Sequence, residues 1–236
     1  MTLETVLDFL TGGWALSMLK AAVMTAAVAI CGFLAGALVG ALGALAKLRG
    51  GPVARGLADG YTTVLRGIPD LLVIYLFYFG SSAVLTPLGK LFGATGFISL
   101  PGFLAGALAI GVVSGAYQTE VFRGAYLAIP KGELEAADAA GMPPFLKFRR
   151  IIAPLALRFA IPGIGNVWQL VLKETALISV TGLVEILRQA QIGAGSTRQP
   201  FLFFAIAACL YMVISALSTW GFGTAERHFT RGLRRV

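Results

Sequence analysis

Most of the chemistry this 236-residue chain could perform sits in one polar island. It opens with Glu135-Ala136-Ala137; Gly141 follows after three residues, and Ile151-Ile152-Ala153-Pro154 after nine more. A short helix is expected over 133–142, stopped by Pro143-Pro144 because proline lacks the amide donor and clashes with the preceding turn. Glu133, Glu135 and Asp138 lie toward its start, where acid suits the positive end of the helix dipole. Ala136, Ala137, Ala139 and Ala140 give it small residues that can sink into a partner's groove. Basic Lys147, Arg149 and Arg150 then lead into a second amphipathic stretch. A solvated connector needs neither this length nor a small-residue face.

The remaining candidates are charges inside apolar sequence. Glu120 lies nine residues before Ile129, which is about 14 Å along a helix at about 1.5 Å per residue. A carboxylate at that depth either has a partner or lines a water-filled path. Arg123 shares its helix face at i+3, and Arg66 is a second candidate partner. Lys173 and Glu174 are adjacent and point about 100° apart on a helix, so each needs its own partner or an aqueous cavity. With Asn166, Gln169, Thr175 and Ser179 they make the segment over 159–189 the leading candidate to line a path. Gly67 and Pro69, flanked by Arg66 and Asp70, should interrupt a helix. Two readings stand: a broken helix presenting backbone to a transported solute, or a helix start with both charges solvated.

Nothing reads as an enzyme. The single histidine, His228, sits in a basic tail, and no metal-ligand cluster or nucleophile elbow occurs. The G-x-x-x-x-G-K-[ST] phosphate loop is missing too, so any ATP used must be bound by another polypeptide. Cys31 and Cys209 fall in apolar segments and read as small hydrophobic residues.

The elements that must position these groups are membrane helices. Hydrophobic residues make up 57% and charged residues 13%, with mean hydropathy +0.83, whereas a globular domain carries roughly 25% charged residues. Runs free of charge cover 21–46, 71–89, 91–119 and 199–225, each at or beyond the roughly 18 apolar residues that suggest a span. With the polar segment, five spans are expected, at about 14–46, 57–85, 102–129, 159–189 and 199–223, in one transmembrane domain over 1–236. Gly36 and Gly40 in the first form a small-xxx-small pair that lets another helix approach.

Fourteen Lys and Arg fall in 47–66, 123–158 and the tail, against four on the other side (Lys20, Lys90, Arg188, Arg198). By the positive-inside rule the N-terminus is outside and the C-terminus cytoplasmic. The net charge of +8 is then a matter of topology and anionic lipid, not nucleic acid. Residues 1–10 carry Glu4 and Asp8 and no positive start, so a cleaved signal peptide is not expected.

Residues 117–141 and 149–191, together with Leu65-Arg66-Gly67-Ile68-Pro69-Asp70, closely resemble the permease subunits of polar-amino-acid ATP-binding-cassette (ABC) importers. RGIPD and GIGNVWQ are most similar to the histidine/lysine/arginine/ornithine and octopine/nopaline branch. The resemblance implies an all-α type I importer permease with five spans, N-terminus periplasmic, multi-pass in a bacterial inner membrane. It implies an ATPase-coupling loop at 130–158 with Glu135, Ala136, Ala137 and Gly141 as coupling residues. It places substrate contacts at Gly67, Ile68, Pro69, Asp70, Asn166, Gln169 and Glu174, and gating or structural charges at Arg66, Glu120, Arg123 and Lys173. The family's usual Leu before the loop's last proline is Ala153 here. Implied partners are two ABC ATPase subunits, an extracytoplasmic amino-acid-binding protein and a second permease half, a homologue in preference to a second copy. No cofactor is expected on this chain, ATP and Mg being held by the ATPase. The rival from another class is a proton-coupled carrier or channel without an ATPase, its carboxylates serving as proton sites.

Overall fold

The computed structural model describes residues 12–229 except 94 and 97; the acidic start and the arginines at 231, 234 and 235 lie outside that range. The described chain is helical. Helix α1 (Trp14–Arg49) and α2 (Pro52–Gly67) are followed by α3 (Asp70–Leu91), α4 (Gly102–Leu127) and the short α5 (Lys131–Ala139). A single turn, α6 (Pro144–Lys147), runs through a π-helical turn at Phe148–Ile152 into α7 (Ala153–Glu174) and a 3₁₀ stretch, Thr175–Thr181. Helices α8 (Ile186–Thr197) and α9 (Pro200–Phe229) complete the described residues. Five segments are long and apolar enough to cross a membrane: α1, α3, α4, the continuous rod Pro144–Thr181, and α9.

Helix α4 is the centre of the bundle. Two-thirds of its most apolar stretch is buried, against about a tenth for α3 and α9, which turn most of their surface outward. Lipid tails are as apolar as leucine, so helices here associate through close packing, not through escape from water. Small residues provide it. Gly32, Gly36, Gly40 and Gly43 lay α1 along α4: a Cβ on Gly32 would come 2.7 Å from Ile110 Cγ2, and one on Gly40 would come 2.7 Å from Gln118 Cβ. Gln118, itself fully buried, donates from Nε2 to the Phe33 carbonyl at 3.1 Å and fastens the same pair of helices. Elsewhere along α4, Gly106 receives Ile178, and Val121 fits against Gly163 of α7. Val28, Val113, Val171 and Ile178 close the core between them.

Two expected boundaries differ from the structure for identifiable reasons. The span expected over 57–85 is two helices, because Pro69 drives Ile68 out of the helical region to φ −103°, ψ 151°. The apolar span begins only at Asp70, then continues through Pro87 to Leu91. The segment expected over 159–189 starts earlier and ends earlier. The rod begins at Pro144, inside the expected loop of 130–158, and ends where Gly182 takes φ +84°.

Glu185 then starts a separate helix. Its carboxylate accepts from the Leu187 and Arg188 amides at 2.9 and 2.7 Å, satisfying two of the orphan donors of the first turn. Tyr211 Oη donates to the same carboxylate at 2.9 Å, and the Ile186 amide donates to Thr25 Oγ1 at 3.1 Å. One buried acid thus ties α8 to α9, and the neighbouring amide ties it to α1.

Candidate functional site

Proline chemistry makes the first part of the site. The chain is extended at Ile68 and Pro69, so α2 ends and α3 starts at a gap carrying Arg66 on one lip and Asp70 on the other. Glu174, at the end of α7, packs against this gap from across the bundle. It is 4% exposed, and among the described residues its carboxyl oxygens meet no donor other than the neighbouring Asp70 carboxyl. Its polar neighbour is the Asp70 carboxyl. Tyr117 of α4 lies within electrostatic range of Asp70, Glu174 and Arg66 together. The Arg66 guanidinium carbon sits over the Tyr117 ring, 5.3 Å from its centre, a cation–π arrangement. Two carboxyl groups and one guanidinium that form no ion pair among the described residues are therefore gathered with an aromatic face where a helix is broken.

Below Tyr117, toward the end that carries the loop, opens a cleft of about 510 Å³ lined by Lys47, Asp59, Thr62, Arg66, Glu120 and Arg123 among others. Glu120 does pair with Arg123, at 2.8 Å, but its second partner is Lys47 at 2.6 Å and not Arg66. Lys47 is nearly buried and spends all three donors, on Glu120, Asp59 (2.8 Å) and Thr62 Oγ1 (2.6 Å). It joins the ends of α1, α2 and α4. Lys47→Met should therefore destabilise the complex by about 3 kcal/mol, toward the low end for breaking a buried pair, since Glu120 keeps Arg123. Thermal inactivation of the detergent-solubilised protein measures it; an unchanged midpoint would show the cluster to be idle.

Helix α7 distributes its polar residues over more than one face. Gln169 is engaged with α9: its amide nitrogen donates to Thr219 Oγ1 at 3.1 Å and to the Ser215 carbonyl at 3.3 Å, while Ser215 Oγ donates to its amide oxygen. Asn166 is exposed and lines a cleft of about 250 Å³ between α7 and α9. Lys173 is exposed along a second groove of about 810 Å³ between the same two helices. The structure brings Gly67, Ile68, Pro69 and Asp70 together with Glu174, and leaves Asn166, Gln169 and Lys173 on another surface.

The loop residues are placed by a helix stop. The Met142 amide donates to the Ala137 carbonyl (3.1 Å) and the Gly141 amide to the Asp138 carbonyl (2.9 Å), with Gly141 at φ +67°. This is the Schellman arrangement, which wants glycine at the left-handed position. Lys147 pairs with Asp138 at 2.6 Å and folds the second half of the loop back onto α5. Glu135, Ala136 and Gly141 are at least partly exposed; Ala137 is buried against its own chain.

Residues 32–231 match the family described as the binding-protein-dependent transport system inner membrane component. The chain belongs to that family. It is a membrane-spanning permease subunit of an ABC importer and has no ATPase site of its own. The permease is 58% identical over 235 residues to the octopine transport system permease protein OccQ of Rhizobium radiobacter, covering 100% of this chain and 99% of that one. It is 48% identical to the nopaline transport system permease protein NocQ of Agrobacterium fabrum, with 98% of each chain covered. Its identity to the histidine/lysine/arginine/ornithine transport system permease protein HisQ of Escherichia coli is 37%, over 93% of this chain and 96% of that one. Its backbone superposes on the crystal structure of an amino acid ABC transporter with histidines at TM-score 0.79 and 30% identity, covering 97% of this chain and 100% of that one. Membership in this family implies an ATPase, a binding protein and a second permease as partners of the permease.

Sequence reasoning missed Lys47, Tyr117 as a neighbour of the carboxyl pair, and the Glu185–Tyr211 tie. Lys47 was legible only as a positive charge at a span end. Its acidic partners, Asp59 and Glu120, are 12 and 73 residues away, and no local spacing joins all three.

Proposed function

We propose that this permease imports a cationic amino acid or an opine, moving it past the break between α2 and α3 by alternating access. One observation carries the reading: Glu174 is buried beside Asp70, and among the described residues no cation or other donor reaches its carboxylate. A buried carboxylate without a cation, beside the partly buried Asp70, costs free energy until one arrives, and a guanidinium or ammonium group is what it selects. The octopine, nopaline and histidine/lysine/arginine/ornithine systems named for the relatives support the choice, since each of those solutes carries a guanidinium, ammonium or imidazole group. Ile68 and Pro69 offer unwound backbone at the same place, next to Gly67 at the end of α2, and Arg66, Glu120 and Arg123 act as gating or structural charges beneath it. Asn166 and Gln169 belong to the path from the side of α9, and Lys173 to its outer wall.

In this reading the protein sits in a bacterial inner membrane with its N-terminus outside and its C-terminus and loop 130–158 in the cytoplasm. Two ATPase subunits hold ATP and Mg, and Glu135, Ala136, Ala137 and Gly141 pass their motion to the helices. The second permease half is a homologue, and the binding protein delivers solute from outside.

Reconstitution of the full complex in proteoliposomes tests the proposal. Uptake of radiolabelled octopine or L-arginine should require ATP and stop with vanadate, while L-leucine stays outside. Preference for leucine would defeat the cationic assignment. Vanadate-insensitive uptake that follows a proton gradient would favour a proton-coupled carrier.

A further inference from the structure

We infer that Arg66 is the resident counter-cation of the Asp70–Glu174 pair, parked on Tyr117 in this conformation and displaced from the carboxyls by the cationic group of the solute. The inference rests on the cationic reading of that pair and adds to it an internal competitor.

The geometry singles out Arg66 by elimination. Of the cations lining the cleft, Lys47 and Arg123 are committed to Glu120, whereas Arg66 forms no ion pair among the described residues. Lys173, next to Glu174 in sequence, points into a different groove. Arg66 is four residues from Asp70, across the extended Ile68-Pro69 segment, and its guanidinium lies over the Tyr117 ring at 5.3 Å from the centre, on the side of the bundle where Asp70 and Glu174 meet. An aromatic face holds a guanidinium weakly and without fixed direction, so it suits a resting place more than a permanent seat. A carboxylate offers the same group two parallel hydrogen bonds. The buried Glu174 and the partly buried Asp70 therefore always have a cation within reach: the chain's own when the path is empty, the solute's when it is full. Emptying the path need not then leave two bare carboxyls inside the membrane.

Competition of this kind lowers apparent affinity by the fraction of time the site is free, so removing a competitor that occupies it nine-tenths of the time strengthens binding about tenfold. The test is equilibrium binding of radiolabelled L-arginine and of octopine, both guanidinium compounds, to the assembled permease–ATPase complex in nanodiscs without the binding protein. Arg66→Gln should bind at least one of them about tenfold more tightly than wild type, and Arg66→Lys should stay near wild type. A structural role for Arg66 predicts a loss on substitution, never a gain. Unchanged or weaker binding by Arg66→Gln, or no binding of either probe by that variant, overturns the inference. Glu174→Gln separates this from the underlying reading: undiminished binding there removes the cationic site itself, whereas lost binding there with no gain in Arg66→Gln removes the competitor alone.

Discussion

Gly40→Leu is expected to leave almost no folded permease in the membrane. The side chain would enter against Gln118 Cβ at 2.7 Å and against the backbone of Gln118 and Thr119 at 3.1 Å. None of these is the far end of a flexible side chain, and Gln118 is fully buried and bonded back to Phe33. Overpacking a tight core costs typically 1–3 kcal/mol, and here about 3 kcal/mol or more is expected because backbone must move. The whole α1–α4 pairing has to open, and that pairing holds the centre of the bundle. Gly60→Ala is the matching control: Gly60 is helical, and a methyl group added there would have no heavy atom of a neighbouring element within 4 Å, so alanine should be neutral or slightly stabilising. Fluorescence-detected size exclusion of tagged protein reads both variants. A sharp monodisperse peak of normal height for Gly40→Leu would mean that α1 and α4 do not pack as described.

Gly141→Val is expected to fold, to hydrolyse ATP in the complex, and to transport at no more than a tenth of the wild-type rate. The left-handed conformation at φ +67° costs a side-chain-bearing residue roughly 1–2 kcal/mol, more when β-branched. That is too little to unfold a bundle, but it removes the two amide bonds that stop α5 and re-aims Glu135 and Ala136. Space around Gly141 is open within this chain, so any crowding would come from the ATPase. Gly141→Asn separates the two causes, since asparagine tolerates the left-handed region and still adds bulk. Retained transport in Asn with loss in Val would assign conformation; loss in both would assign contact. The quantity to follow is solute moved per ATP hydrolysed, and a normal ratio in both variants would sink the coupling role of this turn.

The parts of the molecule set by local chemistry were legible in the sequence, and those set by tertiary neighbours were not. Five apolar segments follow from hydropathy alone, and the helix break follows from one proline at position 69. The Glu120–Arg123 pair follows from i+3 spacing, yet the burial of Lys47 beside it depends on how α1 crosses α4. Glu185 reads as one charge near the end of an apolar stretch; that it caps a new helix needs Gly182 and the approach of Tyr211. Helical periodicity already separates the polar residues of α7. At about 100° per residue, Asn166, Gln169 and Lys173 share a face, and Glu174 falls about 100° round from Lys173. The structure puts Glu174 at the gap and the other three toward α9.

The central claim is that the buried Glu174 carboxylate receives the solute's cation, and Glu174→Gln tests it most directly. The substitution keeps shape and volume, removes the charge and replaces one acceptor oxygen by an amide donor. Uptake of octopine and L-arginine by proteoliposomes carrying the complete complex is measured against wild type at limiting solute. A lost hydrogen bond to a charged group is worth about 1.5–3 kcal/mol, so the expected fall is about tenfold to a hundredfold, with assembly of the complex unchanged. Uptake of both solutes at the wild-type rate would contradict the assignment.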